Sequence, residues 1–169
     1  MNNNDAVDLR ITRTFNAPRE LVWKTMTQAE HLKHWWGPKG VPIDVKKYEP
    51  RPGGVFHYCM HFPGGMDIWG RFLYRELVEP ERMVWINGFA DAEGNPIANP
   101  MSPVWPLEVL NTTTLEEVDG KTVLHLLSQP FNASEAERAA FLAMHASMQG
   151  GFGGMYDQYE EYLASLQKA

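Results

Sequence analysis

The sequence predicts an α+β fold: a curved antiparallel sheet of six to seven strands, two short helices after the first strand, and a long C-terminal helix. Two observations carry the strands and the helix. Segments of strand character run between residues 8 and 129, and tight-turn signals separate several of them: Pro52-Gly53-Gly54, Pro63-Gly64-Gly65 and Asp119-Gly120. From residue 134 onward the apolar spacing changes to three and four, the period of one helical face.

Residues 8–15 alternate Leu9, Ile11 and Phe15 with Arg10, Thr12 and Thr14, as a half-buried strand does. Ala17-Pro18 ends that strand, and Pro18 suits the first turn of a helix, where its missing N–H is no loss. The first helix is expected over 18–27, with Leu21, Val22 and Met26 on one face, and a second over 28–35, carrying Leu32 and Trp35. Trp35-Trp36-Gly37-Pro38 then breaks the helix, and one of the two tryptophans is expected to pack the corner while the other lines a mouth. A meander follows over 42–49, 54–62, 67–78, 82–89, 107–117 and 121–129. Residues 90–106 hold Pro96, Pro100, Pro103 and Pro106 without periodicity and read as a loop or flap.

The last helix is expected over 134–167. Ser134 followed by Glu137 is a capping box. Phe141, Met144, Met148, Phe152, Met155, Tyr156, Tyr159, Leu163 and Leu166 form one buried stripe. Within it stands Gly150-Gly151-Phe152-Gly153-Gly154. Each helical glycine costs about 1 kcal/mol relative to alanine, so the run either breaks the helix or lets something approach closely. The phosphate-loop reading is weak, because no strand precedes it and Tyr156 stands where the last glycine belongs.

With 169 residues, 44% hydrophobic and 21% charged, the chain is expected to form one globular domain over 1–169. A net charge of −6 argues against nucleic acid, which needs a basic footprint. Cys59, the sole cysteine, rules out an internal disulfide. The start Met1-Asn2-Asn3-Asn4-Asp5 lacks signal-peptide character, and no apolar run reaches membrane-spanning length. A cytoplasmic location is therefore expected. Nine Met and six Trp are the unusual entries in the composition, and they suit a deformable pocket.

Few residues invite catalytic or metal chemistry. His57, Cys59 and His61 share one strand face, which reads as the exposed outer side because Phe56, Tyr58, Met60 and Phe62 make the better inner wall. No metal is expected there, nor at His31 and His34, three apart on the short helix. His125 is expected to face water. No Gly-x-Ser-x-Gly elbow anchors a triad, and no catalytic residue or cofactor is assigned.

Phe15-Asn16-Ala17-Pro18-Arg19-Glu20-Leu21-Val22-Trp23, then Trp35-Trp36-Gly37-Pro38, then Arg51-Pro52-Gly53-Gly54 resembles the bacterial relatives of the Hsp90-ATPase activator's C-terminal domain, within the START-like (SRPBCC) helix-grip group. The resemblance implies a sheet wrapped around the long helix with a cavity between them, and a helix that continues through the glycines. It also implies a small hydrophobic or amphipathic partner, such as a lipid, polyketide or aromatic metabolite. The inner wall is expected from Phe56, Tyr58, Met60, Phe72, Met83 and Trp85 on the strands and from Met148, Phe152 and Met155 on the helix. Trp36 would stand at the mouth. Tyr58, Asn111 and His145 would orient a polar group, and the flap, with Phe89 and Trp105 at its ends, would control access.

Two alternatives stand beside this reading. A cyclase- or hydrolase-type enzyme could use the same pocket, with His145 or Tyr58 as its titratable group, although the helix lysine of the group's condensing enzymes is absent before Lys168. An Hsp90-type chaperone ranks below the small molecule as a partner, since the resemblance covers only the C-terminal-domain type. A homodimer is left open.

Overall fold

The computed structural model describes residues 6–168. The elements are β1 (Leu9–Phe15), α1 (Arg19–Thr27), α2 (Ala29–Trp35), β2 (Ile43–Tyr48), β3 (Val55–Phe62), β4 (Met66–Val78), β5 (Arg82–Ala90), β6 (Pro96–Ile97), β7 (Glu108–Val118), β8 (Lys121–Phe131), α3 (Glu135–Ala143) and α4 (His145–Gln167). The strands form one antiparallel sheet in the order β1-β8-β7-β5-β4-β3-β2, with β6 added against β5. This is the helix-grip architecture. The α1–α2 pair carries the chain from one sheet edge to the other, and α4 packs with them against the inner face.

Local chemistry explains the tight turns. Asp119 and Gly120 take φ of 52° and 77°, the left-handed pair that a two-residue hairpin turn requires. That turn sets Val118 opposite Lys121 and so the β7–β8 register. On the inner face, Phe15 meets the edges of Tyr156 and Tyr159, with ring centroids 5.7 and 5.0 Å apart. At the rim of the same contact Arg13 pairs with Asp157 and Glu160 at 2.6 and 2.7 Å. Exposed pairs of this kind are worth roughly 0–1 kcal/mol, so the buried rings hold α4 in place and the ion pairs trim its angle.

Three expectations are corrected. The long C-terminal helix is two helices, broken at Met144, which has φ −98° and ψ 6°. The break lets the stripe serve two cores. Phe141 packs with Leu9 and Val109, with Trp105 against it, whereas Met155, Tyr156, Tyr159 and Leu163 enter the main core. The glycine run does not interrupt α4. Second, residues 90–106 are not wholly irregular: Pro96 and Ile97 pair with Ala90 and Phe89, a strand too short to show periodicity.

Third, the outer face of β3 is not exposed at His57 and Cys59, which retain 4% and 2% of their accessible surface. The chain after β5 folds back over it. His57 Nε2 donates to the Asp91 carbonyl at 2.9 Å, and the Trp69 ring lies 4.8 Å from the imidazole. His125 is exposed, as expected. Among the described residues, no helix is long and apolar enough to cross a membrane.

Candidate functional site: an uncharged chamber between sheet and helix

Between the inner sheet face and α4 lies a chamber of about 370 Å³. Its wall comes from Tyr58 and Met60 on β3, Trp85, Asn87 and Phe89 on β5, and Asn111 on β7. Trp36, Gly37 and Pro38 close one side, and Met148, Gly151, Phe152 and Met155 of α4 the other. A second chamber of about 800 Å³ adjoins it, sharing Tyr58, Met60, Phe89, Met148 and Phe152. The flap residues Asn99, Met101, Ser102 and Trp105 line the second chamber together with Phe141 and Met144. These sizes fall in the range of small-molecule sites, about 300–1,000 Å³.

Strand alternation produces this wall. Cross-strand partners share a face, and Tyr58, Gly70 and Phe89 stand opposite one another on β3, β4 and β5. A Cβ at Gly70 would lie 2.6 Å from the Tyr58 ring, so glycine is what lets that ring lie across the sheet. Gly151 on the helix is the opposite case: it lines the chamber, and a Cβ there would meet nothing within 4 Å.

Among the described residues, no Asp, Glu, Lys, Arg or His lines either chamber. Burial pushes the Tyr58 phenol up to about 12, so it stays neutral at physiological pH. The polar groups are few and specific. Trp85 Nε1–H is buried without a hydrogen-bond partner among the described residues. Opposite it in the ladder, Asn111 donates through Nδ2 to Asn87 Oδ1 at 2.8 Å and to the Val109 carbonyl at 3.2 Å. An apolar room with one amide pair suits a neutral molecule carrying a carbonyl or hydroxyl.

The expected wall residues divide by position. Trp36, Tyr58, Met60, Trp85, Phe89, Asn111, Met148, Phe152 and Met155 face the chamber. Phe56, Phe72 and Met83 share the sheet face but stand behind the lining, buried where other side chains close over them: Phe72 stacks on Trp85 at 5.3 Å and meets Trp36 edge-on at 4.8 Å. His145 is not placed to orient a ligand, because its Nε2–H donates to the Val7 carbonyl at 2.7 Å and pins the start of α4 to the N-terminal segment. Of the tryptophan pair, Trp35 is the packing residue and Trp36 the lining one. Asn87 was not singled out from sequence, although it lies two residues from Trp85 and alternation places it on the same face.

Residues 16–164 match the family model described as Activator of Hsp90 ATPase homolog 1-like protein. The chain belongs to this family. Solved structures similar to it include a protein of Mycobacterium smegmatis, 24% identical, with a TM-score of 0.78, covering 98% of this chain and 96% of that one. A protein of Arthrobacter aurescens is 24% identical with a TM-score of 0.80, covering 95% of this chain and 88% of that one. A protein of Nitrosomonas europaea is 24% identical with a TM-score of 0.75, covering 97% and 98%. At that identity the likeness speaks to the fold. No curated protein matches the chain.

Proposed function

We propose that this family member binds a small, uncharged, predominantly apolar molecule in the chamber between the sheet and α4. The observation that carries the reading is the wall itself: apolar and aromatic side chains, an Asn87–Asn111 amide pair and, among the described residues, no ionisable group but a neutral phenol. A charged ligand would lose its hydration there without finding a counter-charge, which costs several kcal/mol per ion. A neutral one loses little, and a carbonyl or hydroxyl can pair with the Asn87–Asn111 amides. Gly151, the one of the four α4 glycines that lines the chamber, leaves the helix without a side chain there, which gives the ligand room.

Titration of the purified chain with a medium-chain alcohol and with the carboxylic acid of equal length tests this. The alcohol is expected to bind saturably at one equivalent, at least tenfold tighter than the carboxylate. Equal binding of both, or of neither, in a folded sample would overturn the reading. A second reading, action on an Hsp90-type ATPase, is favoured by the family's description. Co-precipitation of the chain with its cell's Hsp90 would support it, and stimulation of that ATPase in purified components would establish it.

A further inference from the structure

On the outer face of the sheet, away from the chamber, three adjacent strands bring four metal-competent side chains together. His61 stands opposite Asp67 on β4, and Cys59, two residues before it on the same face, stands opposite Asp44 on β2. His61 Nδ1 lies 2.8 Å from Asp67 Oδ1 and 4.0 Å from Cys59 Sγ. Its other ring nitrogen, Nε2, lies 2.8 Å from Asp44 Oδ2. The ligand atoms of Cys59, His61 and Asp67 all fall within 4.8 Å of one another.

We propose that Cys59 Sγ, His61 Nδ1 and Asp67 Oδ1 form a three-ligand site for a zinc-type divalent cation, with Asp44 as the carboxylate that orients the histidine. Around tetrahedral zinc, with bonds of about 2.0–2.3 Å, ligand atoms sit roughly 3.3–3.8 Å apart, so small side-chain movements suffice. A thiolate with an imidazole selects zinc-like ions over calcium or magnesium. A metal-bound histidine commonly donates its second ring N–H to a carboxylate, and Asp44 is already in that position. With only three ligands a fourth place stays open, on the side where His61 and Asp67 remain partly exposed. Binding removes the Cys59 thiol proton to solvent, since the thiolate is the ligand.

The site differs from the His57-Cys59-His61 set that the sequence displays. His57 is held by the Asp91 carbonyl, and Asp67, remote from that set in its sequence pattern, takes its place by hairpin pairing. The competing account is an ion triad in which a protonated His61 merely bridges Asp44 and Asp67.

Titration of the full chain with Co²⁺ separates the two. One equivalent is expected to produce a near-ultraviolet thiolate-to-cobalt band, displaced by Zn²⁺. Cys59→Ser should abolish the band, and Asp67→Asn should weaken binding. Asp44→Asn should keep the band while lowering affinity about 10–100-fold, as loss of an outer carboxylate does. His125→Ala, on the exposed outer face elsewhere, should change nothing. Absence of a thiolate band at saturating Co²⁺, or a band that survives Cys59→Ser in folded protein, would overturn the site and leave the ion triad.

Discussion

Trp35 lies flat against Tyr159, with ring centroids 3.8 Å apart and planes 17° from parallel. The pair joins α2 to α4 and is satisfied at both polar ends: Trp35 Nε1–H donates to the Thr25 carbonyl at 2.9 Å, and the Tyr159 hydroxyl donates to the Val22 carbonyl at 2.9 Å. The next residue, Trp36, turns to the chamber. Neighbouring tryptophans therefore divide stability from binding. Trp35→Ala is expected to cost about 3–5 kcal/mol, the range for deleting a buried large aromatic. Trp36→Ala should cost less and weaken binding of a neutral apolar probe. Urea denaturation and probe titration of both variants check the division.

Trp85→Phe tests the chamber wall beside Phe72. It keeps an aromatic ring there but removes the bulk of the fused ring together with the unpartnered Nε1–H. Stability should fall by about 1–2 kcal/mol, because the cavity left by the smaller buried ring outweighs relief of one unsatisfied donor. Affinity should change alike for a ligand with a carbonyl or hydroxyl and for a pure hydrocarbon of equal size, because the buried indole nitrogen is out of a ligand's reach. Urea denaturation, and calorimetry with such a pair, check both.

His31 sits where α2 meets α4, its Nδ1 2.6 Å from the Tyr162 hydroxyl, and partial burial lowers its pKa below 6.5. The folded state therefore favours the neutral ring. That contribution is present above pH 6.5 and is lost as the pH falls through the unfolded value towards the folded one. Ring-proton NMR should place the His31 midpoint below 6.5. Replacement by Gln should flatten the decline of melting temperature between pH 7 and 5 by a small amount, since the ring is only partly buried.

The strands were legible because their signals are local. Alternation at Leu9–Phe15 and the Asp119-Gly120 turn act within a few residues, and the structure reproduces both within one or two positions. The helix break at Met144 was not legible, because the apolar spacing of three and four runs through it unchanged. Alternation also picked the correct sheet face, but it could not separate Trp85 from Met83 or Tyr58 from Phe56. That division depends on where α4 and Trp36 stand over the sheet, a long-range relationship. The burial of His57 has the same origin, for the segment that covers it comes from more than thirty residues later, at Asp91.

The central claim is that the space beside Gly151 belongs to a ligand. A Cβ placed there meets nothing within 4 Å. Gly151→Leu should gain about 1 kcal/mol of helix propensity and direct its side chain at the chamber. Binding of the neutral fluorophore N-phenyl-1-naphthylamine to the wild-type chain and to Gly151→Leu, with melting temperatures in parallel, tests this most directly. The account predicts saturable one-to-one binding to the wild type, and at least tenfold weaker binding to a variant whose melting temperature is kept or raised. Unchanged affinity in Gly151→Leu, or no binding by the folded wild type, would contradict it.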